Sequence, residues 1–177
     1  MTIKRIAIDS IFLALLVVSS YISIPISDIS LTLQVLVVLL LALILNFMDA
    51  EIIIIIYIIM GLLGIPVFSN FSSGITKIFT PSFGFILSFL LVPVINKICS
   101  LFISKNNLLK KYINSFISLV VMYLVGCMYL LIIKDIYEVD ILNFIVVSFL
   151  PLIPFDIVKA VIACIISDKI KPLIERI

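Results

Sequence analysis

The chain consists of long apolar stretches separated by short segments that contain polar residues, glycine or proline. Stretches of about 20 apolar residues are long enough to cross a bilayer as helices. The third stretch is shorter because two glycines and a proline interrupt it between Gly61 and Pro66. The next helix is expected to start at Pro81, because proline is favoured in the first turn of a helix. The pattern predicts six helices, at roughly 4–23, 31–46, 50–64, 81–103, 109–133 and 143–168.

Composition indicates that these helices lie in lipid. Hydrophobic residues make up 64% of the 177 residues and charged residues only 12%, whereas soluble domains are about 45–50% apolar and about 25% charged. We therefore expect residues 1–177 to form a single all-α integral membrane domain, a six-transmembrane-helix bundle. The first apolar run follows Lys4 and Arg5 as in a signal peptide, but it reaches Ile24, and we expect a retained first helix.

The basic residues predict the orientation of this bundle, because cytoplasmic loops of membrane proteins are enriched in lysine and arginine. In the six-helix arrangement, the opposite side has only Lys77 and Lys134, and Lys159 falls within a span. Both termini are therefore expected in the cytoplasm, with Asp28, Asp135, Glu138 and Asp140 outside. The basic residues on the predicted cytoplasmic side are Lys4, Arg5, Lys97, Lys105, Lys110, Lys111, Lys169, Lys171 and Arg176.

The last predicted helix carries two charges deep in the membrane. Counting back from Asp168 at about 1.5 Å per residue places Asp156 roughly 18 Å and Lys159 roughly 13 Å into a core about 30 Å thick. Each charge costs about 2.5–3.5 kcal/mol near a helix centre, and the i, i+3 spacing puts both on one face. Two interpretations remain open: an ion pair that fixes helix packing, or one wall of a ligand site.

Polar residues of other segments are expected at the same outward depth as this pair. They would supply hydroxyl and amide groups to a pocket for a small molecule with a polar head. Nearby aromatic residues could enclose a flat, uncharged ring, although packing or an interfacial belt also explains them. The polar candidates are Gln34, Thr32, Asn70, Ser72, Ser73, Gly74 and Ser82, and the aromatic ones are Tyr21, Phe68, Phe71, Phe83 and Phe85. We assign Tyr112, Tyr123, Tyr129 and Tyr137 to the belt or the core.

Several kinds of chemistry are not expected from this sequence. It has no histidine, and Cys99, Cys127 and Cys164 show no CxxC spacing, so we predict no metal site. A phosphate-binding GxxxxGK[ST] motif and the GxSxG and HExxH motifs are missing as well, so we expect neither an enzyme nor a resident cofactor. If the chain transports a molecule, a partner must supply the energy.

The first helix offers a surface for such a partner. Ser10 and Ala14 form a small-xxx-small pair, and Val18 continues the same face. Packing within the bundle explains the pair equally well.

Four segments in order make the chain similar to a known family. They are Ile22-Ser23-Ile24-Pro25 with Leu31-Thr32-Leu33-Gln34, Gly61 to Phe68, Pro81-Ser82-Phe83-Gly84-Phe85, and Pro154-Phe155-Asp156-Ile157-Val158-Lys159. On these residues the chain resembles, nearly end to end, the BioY family, the biotin-binding S components of energy-coupling factor (ECF) transporters. The resemblance implies a six-helix S component of a prokaryotic cell membrane that captures biotin from outside. It further implies delivery with a transmembrane T protein and two cytoplasmic ABC-type ATPases, and no nucleic-acid partner.

The resemblance also assigns roles to residues. Asp156 and Lys159 would bind the polar groups of the ligand, which we assign to the ureido ring of biotin. Pro66-Val67-Phe68 would help to cap the pocket, with Asn70 close behind, and Ser10 with Ala14 would form the docking face. We expect Gln34, Ser82, Gly74 and Tyr21 to complete the ligand site.

Two segments depart from the family pattern. Members often read GPTGGY where this chain has Thr80 to Phe85, which makes the pocket tighter and less polar or changes its ligand. A basic pair common after the second helix is replaced by Phe47-Met48-Asp49-Ala50-Glu51. Alternatives to a biotin subunit are therefore an S component for another vitamin, an intramembrane enzyme that uses Asp156, or a structural membrane subunit outside transport.

Overall fold

The computed structural model describes residues 3–26, 29–102, 107–137 and 140–174 and shows a helical bundle. Asp28, Lys105, Glu138 and Arg176, which entered the predicted orientation, lie outside the described residues. The helices are α1 (Ile3–Tyr21), α2 (Gln34–Ile44), α3 (Phe47–Leu62), α4 (Phe83–Ser88), α5 (Leu91–Phe102), α6 (Asn107–Tyr137), α7 (Ile141–Phe144) and α8 (Leu152–Ile174). Two short strands, β1 (Ser23–Pro25) and β2 (Ser30–Thr32), lie between α1 and α2.

These elements confirm the predicted six-helix architecture. The fourth predicted helix corresponds to α4 and α5, and the sixth to α7, a π-helical turn at Ile145–Phe149, and α8. Within the described residues, three segments are long and apolar enough to cross a membrane by themselves, namely Phe83–Leu101, Leu109–Ile133 and Ile145–Ile174. The other helices are shorter or more polar and need their neighbours to complete a span.

The predicted start of the second helix at residue 31 is wrong, because Ser30–Thr32 pairs as a strand with Ser23–Pro25. The register places Ile24 opposite Leu31 and Pro25 opposite Ser30. Proline has no backbone N–H to continue a helix, which favours this extended connection. The helix that follows, α2, has only 11 residues, or about 16 Å, and packs in the middle of the bundle against α8, α1 and α5.

Prolines also explain the breaks in the fourth and sixth predicted helices. Pro93 lies in the first turn of α5, and its ring would clash with the Phe89 carbonyl if α4 continued without a break. Pro151 separates the π-helical turn from α8 in the same way. Helix α8 does not end near Asp168 as predicted but runs to Ile174, so Asp156 lies near the start of a long helix.

Charged side chains make the contacts that hold together one end of the bundle. This end combines the starts of α1, α3 and α6 with the ends of α2, α5 and α8. Its lysines and arginine are among the basic residues of the predicted cytoplasmic side, and we call it the basic end. The contacts are the ion pairs Arg5–Asp49 and Lys111–Asp168, the Lys97 ammonium over the Phe47 ring, and a hydrogen bond from Lys171 to the Leu43 carbonyl.

Candidate ligand-binding site

A narrow cavity lies at the end of the bundle opposite the basic end, between the β-hairpin, α4 and α8. Its volume is about 50 Å³. The lining combines hydroxyl, amide and charged groups with branched and aromatic walls. The lining residues are Ile29, Ser30, Leu31, Thr32, Gln34, Val35, Ser69, Ser82, Phe85, Ile86, Phe89, Leu152, Asp156 and Lys159. We call this space the Asp156 cavity.

The charged pair of α8 forms one wall of this cavity. The Lys159 Nζ donates to Asp156 Oδ1 at 2.7 Å, and the Tyr123 hydroxyl donates to Asp156 Oδ2 at 2.6 Å. Only 5% of Asp156 and 7% of Lys159 is exposed, so the two charges are removed from bulk solvent together. Lysine has three N–H donors and each carboxylate oxygen has more than one acceptor site, so both groups keep hydrogen-bonding capacity for a ligand.

Gln34 faces the pair from the start of α2 and is held by a buried chain of hydrogen bonds. Its Nε2 donates to the Tyr57 hydroxyl at 2.6 Å, and Tyr57 donates to the Val67 carbonyl at 3.0 Å. The Ser20 hydroxyl donates to the same carbonyl at 2.6 Å. These hydrogen bonds fix the Gln34 amide and connect α1, α2 and α3 to the loop that contains Val67. Breaking them would be costly, because buried polar groups that lose their partners destabilise the fold.

Tyr57→Phe is expected to destabilise the protein, since it leaves the buried Gln34 Nε2 without its acceptor. The free energy of unfolding should fall by about 1–3 kcal/mol, seen as a lower melting temperature of the purified protein in detergent. Tyr112→Phe is the matched control, because Tyr112 lies exposed on α6. Equal melting temperatures for the two variants would contradict the role assigned to Tyr57.

The segment between α3 and α4 covers the cavity end of the bundle, and we call residues 63–82 the capping loop. Phe68 is 1% exposed and packs edge-on against the Tyr57 ring, with the centroids 5.6 Å apart. Its ring lies against Gly61, where an added Cβ would meet the Phe68 Cζ at 2.1 Å. Tyr21 donates its hydroxyl to the Pro66 carbonyl at 2.9 Å. These contacts attach the start of the capping loop firmly to α1 and α3.

Asn70 connects the capping loop to the β-hairpin. Its Oδ1 accepts from the Ser23 hydroxyl at 2.8 Å, and its Nδ2 donates to the Ser30 hydroxyl at 2.9 Å. The backbone of Asn70 is left-handed, with φ 57°, which asparagine tolerates better than most residues. Gly74 also has a positive φ, 96°, and donates its N–H to the Gly61 carbonyl at 2.7 Å.

The predicted site residues thus fall into two groups. Asp156, Lys159, Gln34 and Ser82 line the cavity. In the described part of the chain, the other four are not among the lining residues and instead build the cap or its attachment, through two side chains of the loop, one backbone N–H of the loop and one side chain of α1. These four are Asn70, Phe68, Gly74 and Tyr21.

Aromatic side chains close the side of the cavity next to Tyr123. Phe85, which lines the cavity, packs edge-on against Tyr123 and Phe149 at centroid distances of 5.4 and 5.1 Å. Phe83 instead is buried in the core, with its ring centroid 6.0 Å from that of Tyr129. Of the two phenylalanines that depart from the family pattern, Phe85 is therefore the one placed to shape the pocket.

The sequence interpretation missed the roles of Tyr123 and Tyr57. Tyr123 was assigned to the belt or the core, but its hydroxyl donates a hydrogen bond to the Asp156 carboxylate, which lines the cavity. Both tyrosines lie within highly apolar helices, where no periodic pattern marks the face that points inward. A tyrosine within an apolar helix is itself a signal, because its hydroxyl, when buried, needs a hydrogen-bond partner.

This arrangement fits a small ligand with an uncharged polar head. An aspartate and a lysine in contact have no net charge together, yet they present an acceptor and a donor side by side in an apolar pocket. Small-molecule pockets usually measure about 300–1,000 Å³, so the narrow cavity would have to widen, by movement of the capping loop or of aromatic side chains such as Phe85, to admit a ligand of that size.

A solved structure has the same fold as this chain. A solved structure described as the S-component for biotin from an ECF-type ABC transporter aligns with a TM-score of 0.82 and 20% identity, covering 97% of this chain and 95% of that one. The architecture is therefore that of an ECF S component, as predicted.

Comparison of sequences then identifies the family. The BioY family model matches residues 1–176. The chain is 37% identical over 171 residues to a probable biotin transporter BioY of Pyrococcus horikoshii, covering 97% of this chain and 98% of the relative. It is 33% identical over 168 residues to the biotin transporter BioY of Thermotoga maritima, covering 94% and 95%. The chain belongs to the BioY family, a membrane transport family, and the predicted resemblance is confirmed.

Proposed function

We propose that this chain captures biotin in the Asp156 cavity and delivers it across the cell membrane as the substrate-binding subunit of an ECF transporter. The observation that carries the proposal is the buried Asp156–Lys159 pair beside Gln34. The fused rings of biotin include a ureido group, whose carbonyl accepts and whose two N–H groups donate hydrogen bonds. Lys159 and the Asp156 carboxylate would satisfy the carbonyl and an N–H group, while the walls around Phe85 and Phe89 would enclose the apolar rings.

The distribution of positive charge supports a cavity that faces the outside. Lysine and arginine side chains gather at the basic end, which by the positive-inside rule faces the cytoplasm. The Asp156 cavity and the capping loop lie at the other end. Biotin would therefore enter from outside, beneath the capping loop, and closure of the loop would remove the ligand and the charged pair from water.

The first helix would provide the contact with the transmembrane T protein. Ser10 and Ala14 are both exposed, and exposed Ile11, Leu15 and Val18 extend the same side of α1. The Ser10 hydroxyl donates to the Ile6 carbonyl at 2.8 Å, so it does not need a partner from another chain. Small residues let a helix approach closely. In this proposal two cytoplasmic ABC-type ATPases supply the energy through the T protein.

A competition experiment separates biotin from another vitamin as the ligand. Labelled biotin is bound to the purified chain, and unlabelled biotin, thiamine, riboflavin and folate are added in turn. Only unlabelled biotin should displace the label, because the ureido group is what fits the charged pair. Displacement by another vitamin at comparable concentration would favour the alternative S component, in which Phe85 has reshaped the pocket.

The attachment of the capping loop should set how fast the ligand leaves. Asn70→Gly keeps the left-handed backbone but loses the bonds to Ser23 and Ser30, and should speed dissociation of labelled biotin about tenfold. Ser73→Ala is the control, since the Ser73 hydroxyl bonds within the loop, to the Gly64 carbonyl, and its rate should match the wild type. An unchanged rate for Asn70→Gly would refute this role of the loop.

A further inference from the structure

The basic end contains a second cavity, of about 440 Å³, between the ends of α2, α5 and α8 and the start of α6. It is much larger than the Asp156 cavity and lies at the other end of the bundle. Its polar lining is dominated by three lysines against one aspartate. The lining residues are Leu43, Asn96, Ser100, Lys110, Lys111, Asn114, Ser167, Asp168, Lys171 and Pro172.

The three lysines are drawn into this cavity rather than extended into solvent. Lys110, Lys111 and Lys171 are each partly buried, whereas Lys97 and Lys169 at the same end are exposed. Lysine is rarely buried unless its charge is matched. Here Asp168 matches only Lys111, so the cavity lining has a net charge of two positive.

The other two ammonium groups have only neutral partners among the described residues. Lys110 donates to the Ser100 carbonyl at 3.1 Å, and Lys171 donates to the Leu43 carbonyl at 3.2 Å. One carbonyl occupies one of the three N–H donors of each group. Both lysines therefore retain donors and positive charge for an anion.

Asn114 provides an independent sign of an occupant. The residue is 2% exposed and lines the cavity, and its Nδ2 donates to Asn96 Oδ1 at 2.8 Å. Its Oδ1 is buried without a hydrogen-bond partner within the described residues. Such a group is costly to leave unpaired, and a hydroxyl from a bound molecule would satisfy it.

We propose that this cavity binds a hydroxyl-bearing phosphate ester, the headgroup of an anionic phospholipid such as phosphatidylglycerol from the cytoplasmic leaflet. Lys110 and Lys171 would contact the phosphate, and Asn114 Oδ1 would accept from a headgroup hydroxyl. The location supports lipid as the source, because basic pockets between helices at the cytoplasmic side face anionic headgroups directly. The bound lipid would join α2, α5, α6 and α8 at their cytoplasmic ends.

Native mass spectrometry of the intact chain tests the proposal. The purified protein is titrated with phosphatidylglycerol and, separately, with phosphatidylcholine of the same acyl chains. The wild type should retain one phosphatidylglycerol and prefer it over phosphatidylcholine. In Lys110→Gln/Lys171→Gln the affinity for phosphatidylglycerol should fall about 25-fold, because each lysine near an anionic headgroup contributes on the order of a factor of five.

Lys97→Gln/Lys169→Gln is the matched control, since it removes the same charge from exposed positions at the same end. It should retain phosphatidylglycerol like the wild type. If the test variant does not fold, Lys110→Gln alone, which gives up one surface carbonyl contact, should still weaken binding about fivefold. Equal retention of the two lipids by the wild type, or equal loss in both double variants, would overturn the site. Binding of glycerol 3-phosphate without phosphatidylglycerol would overturn the lipid as the source and leave a soluble phosphate ester.

Discussion

Replacing both members of the buried pair, in Asp156→Asn/Lys159→Met, is expected to abolish biotin binding while leaving a folded protein. The variant removes an ionic donor and an ionic acceptor, each worth about 1.5–3 kcal/mol, so the dissociation constant should rise at least about 100-fold. The fold should survive because a buried ion pair is often replaced by uncharged residues of similar size at little cost, and the amide at position 156 still accepts from Tyr123. Biotin titration and melting temperature in detergent measure the two effects.

The single variant Lys159→Met is the control for this experiment. It leaves Asp156 charged and buried, which should lower the free energy of unfolding by about 3–5 kcal/mol, so the single variant should melt below the double variant. Biotin binding by the double variant with the affinity of the wild type would show that the pair only fixes helix packing. That outcome would restore the structural interpretation of Asp156 and Lys159.

Gly61→Ala should produce the second large effect, through the capping loop. Its Cβ would lie 2.1 Å from the Phe68 Cζ, a distance that real contacts do not allow, and the fully buried Phe68 ring must leave its place. Overpacking of this kind costs about 1–3 kcal/mol or more, and the displaced loop should also weaken biotin binding. In an open helical site the same change would instead stabilise the helix by about 0.5–1 kcal/mol. The direction of the change in melting temperature therefore tests the contact.

A second substitution can relieve the clash. Phe68→Leu shortens the side chain that meets the new Cβ, so Gly61→Ala/Phe68→Leu should be more stable than the sum of the single effects predicts. Coupling between contacting residues is typically about 0.5–3 kcal/mol. Strictly additive changes in melting temperature would show that Gly61 and Phe68 do not pack as described.

The architecture could be predicted because apolar runs of spanning length do not depend on tertiary contacts. The places where the helix boundaries differ from the prediction depend on single residues within or beside those runs. Ser30–Thr32 directly precedes the apolar run of the second helix, yet pairing with Ser23–Pro25 makes it a strand. The last helix was predicted to end near Asp168, but α8 continues to Ile174 because a helix can carry charges beyond the apolar region.

The parts of the candidate site that lie on one helix could be predicted from the sequence. The parts that depend on contacts between several elements could not. The i, i+3 spacing of Asp156 and Lys159 determines that they share a face, whatever surrounds the helix. Tyr123 reaches Asp156 only because of how α6 is rotated against α8, and the apolar sequence of α6 does not encode that rotation. Asn70 and Phe68 lie in the loop after the third helix as predicted, but the loop turns them toward the hairpin and the core.

Isothermal titration of the purified, folded chain with biotin tests most directly whether the Asp156 cavity binds biotin. We expect one biotin bound per chain with micromolar or tighter affinity, in the absence of the T protein, the ATPases and ATP. Failure of the folded chain to bind biotin in this range would show that the cavity is not a biotin site.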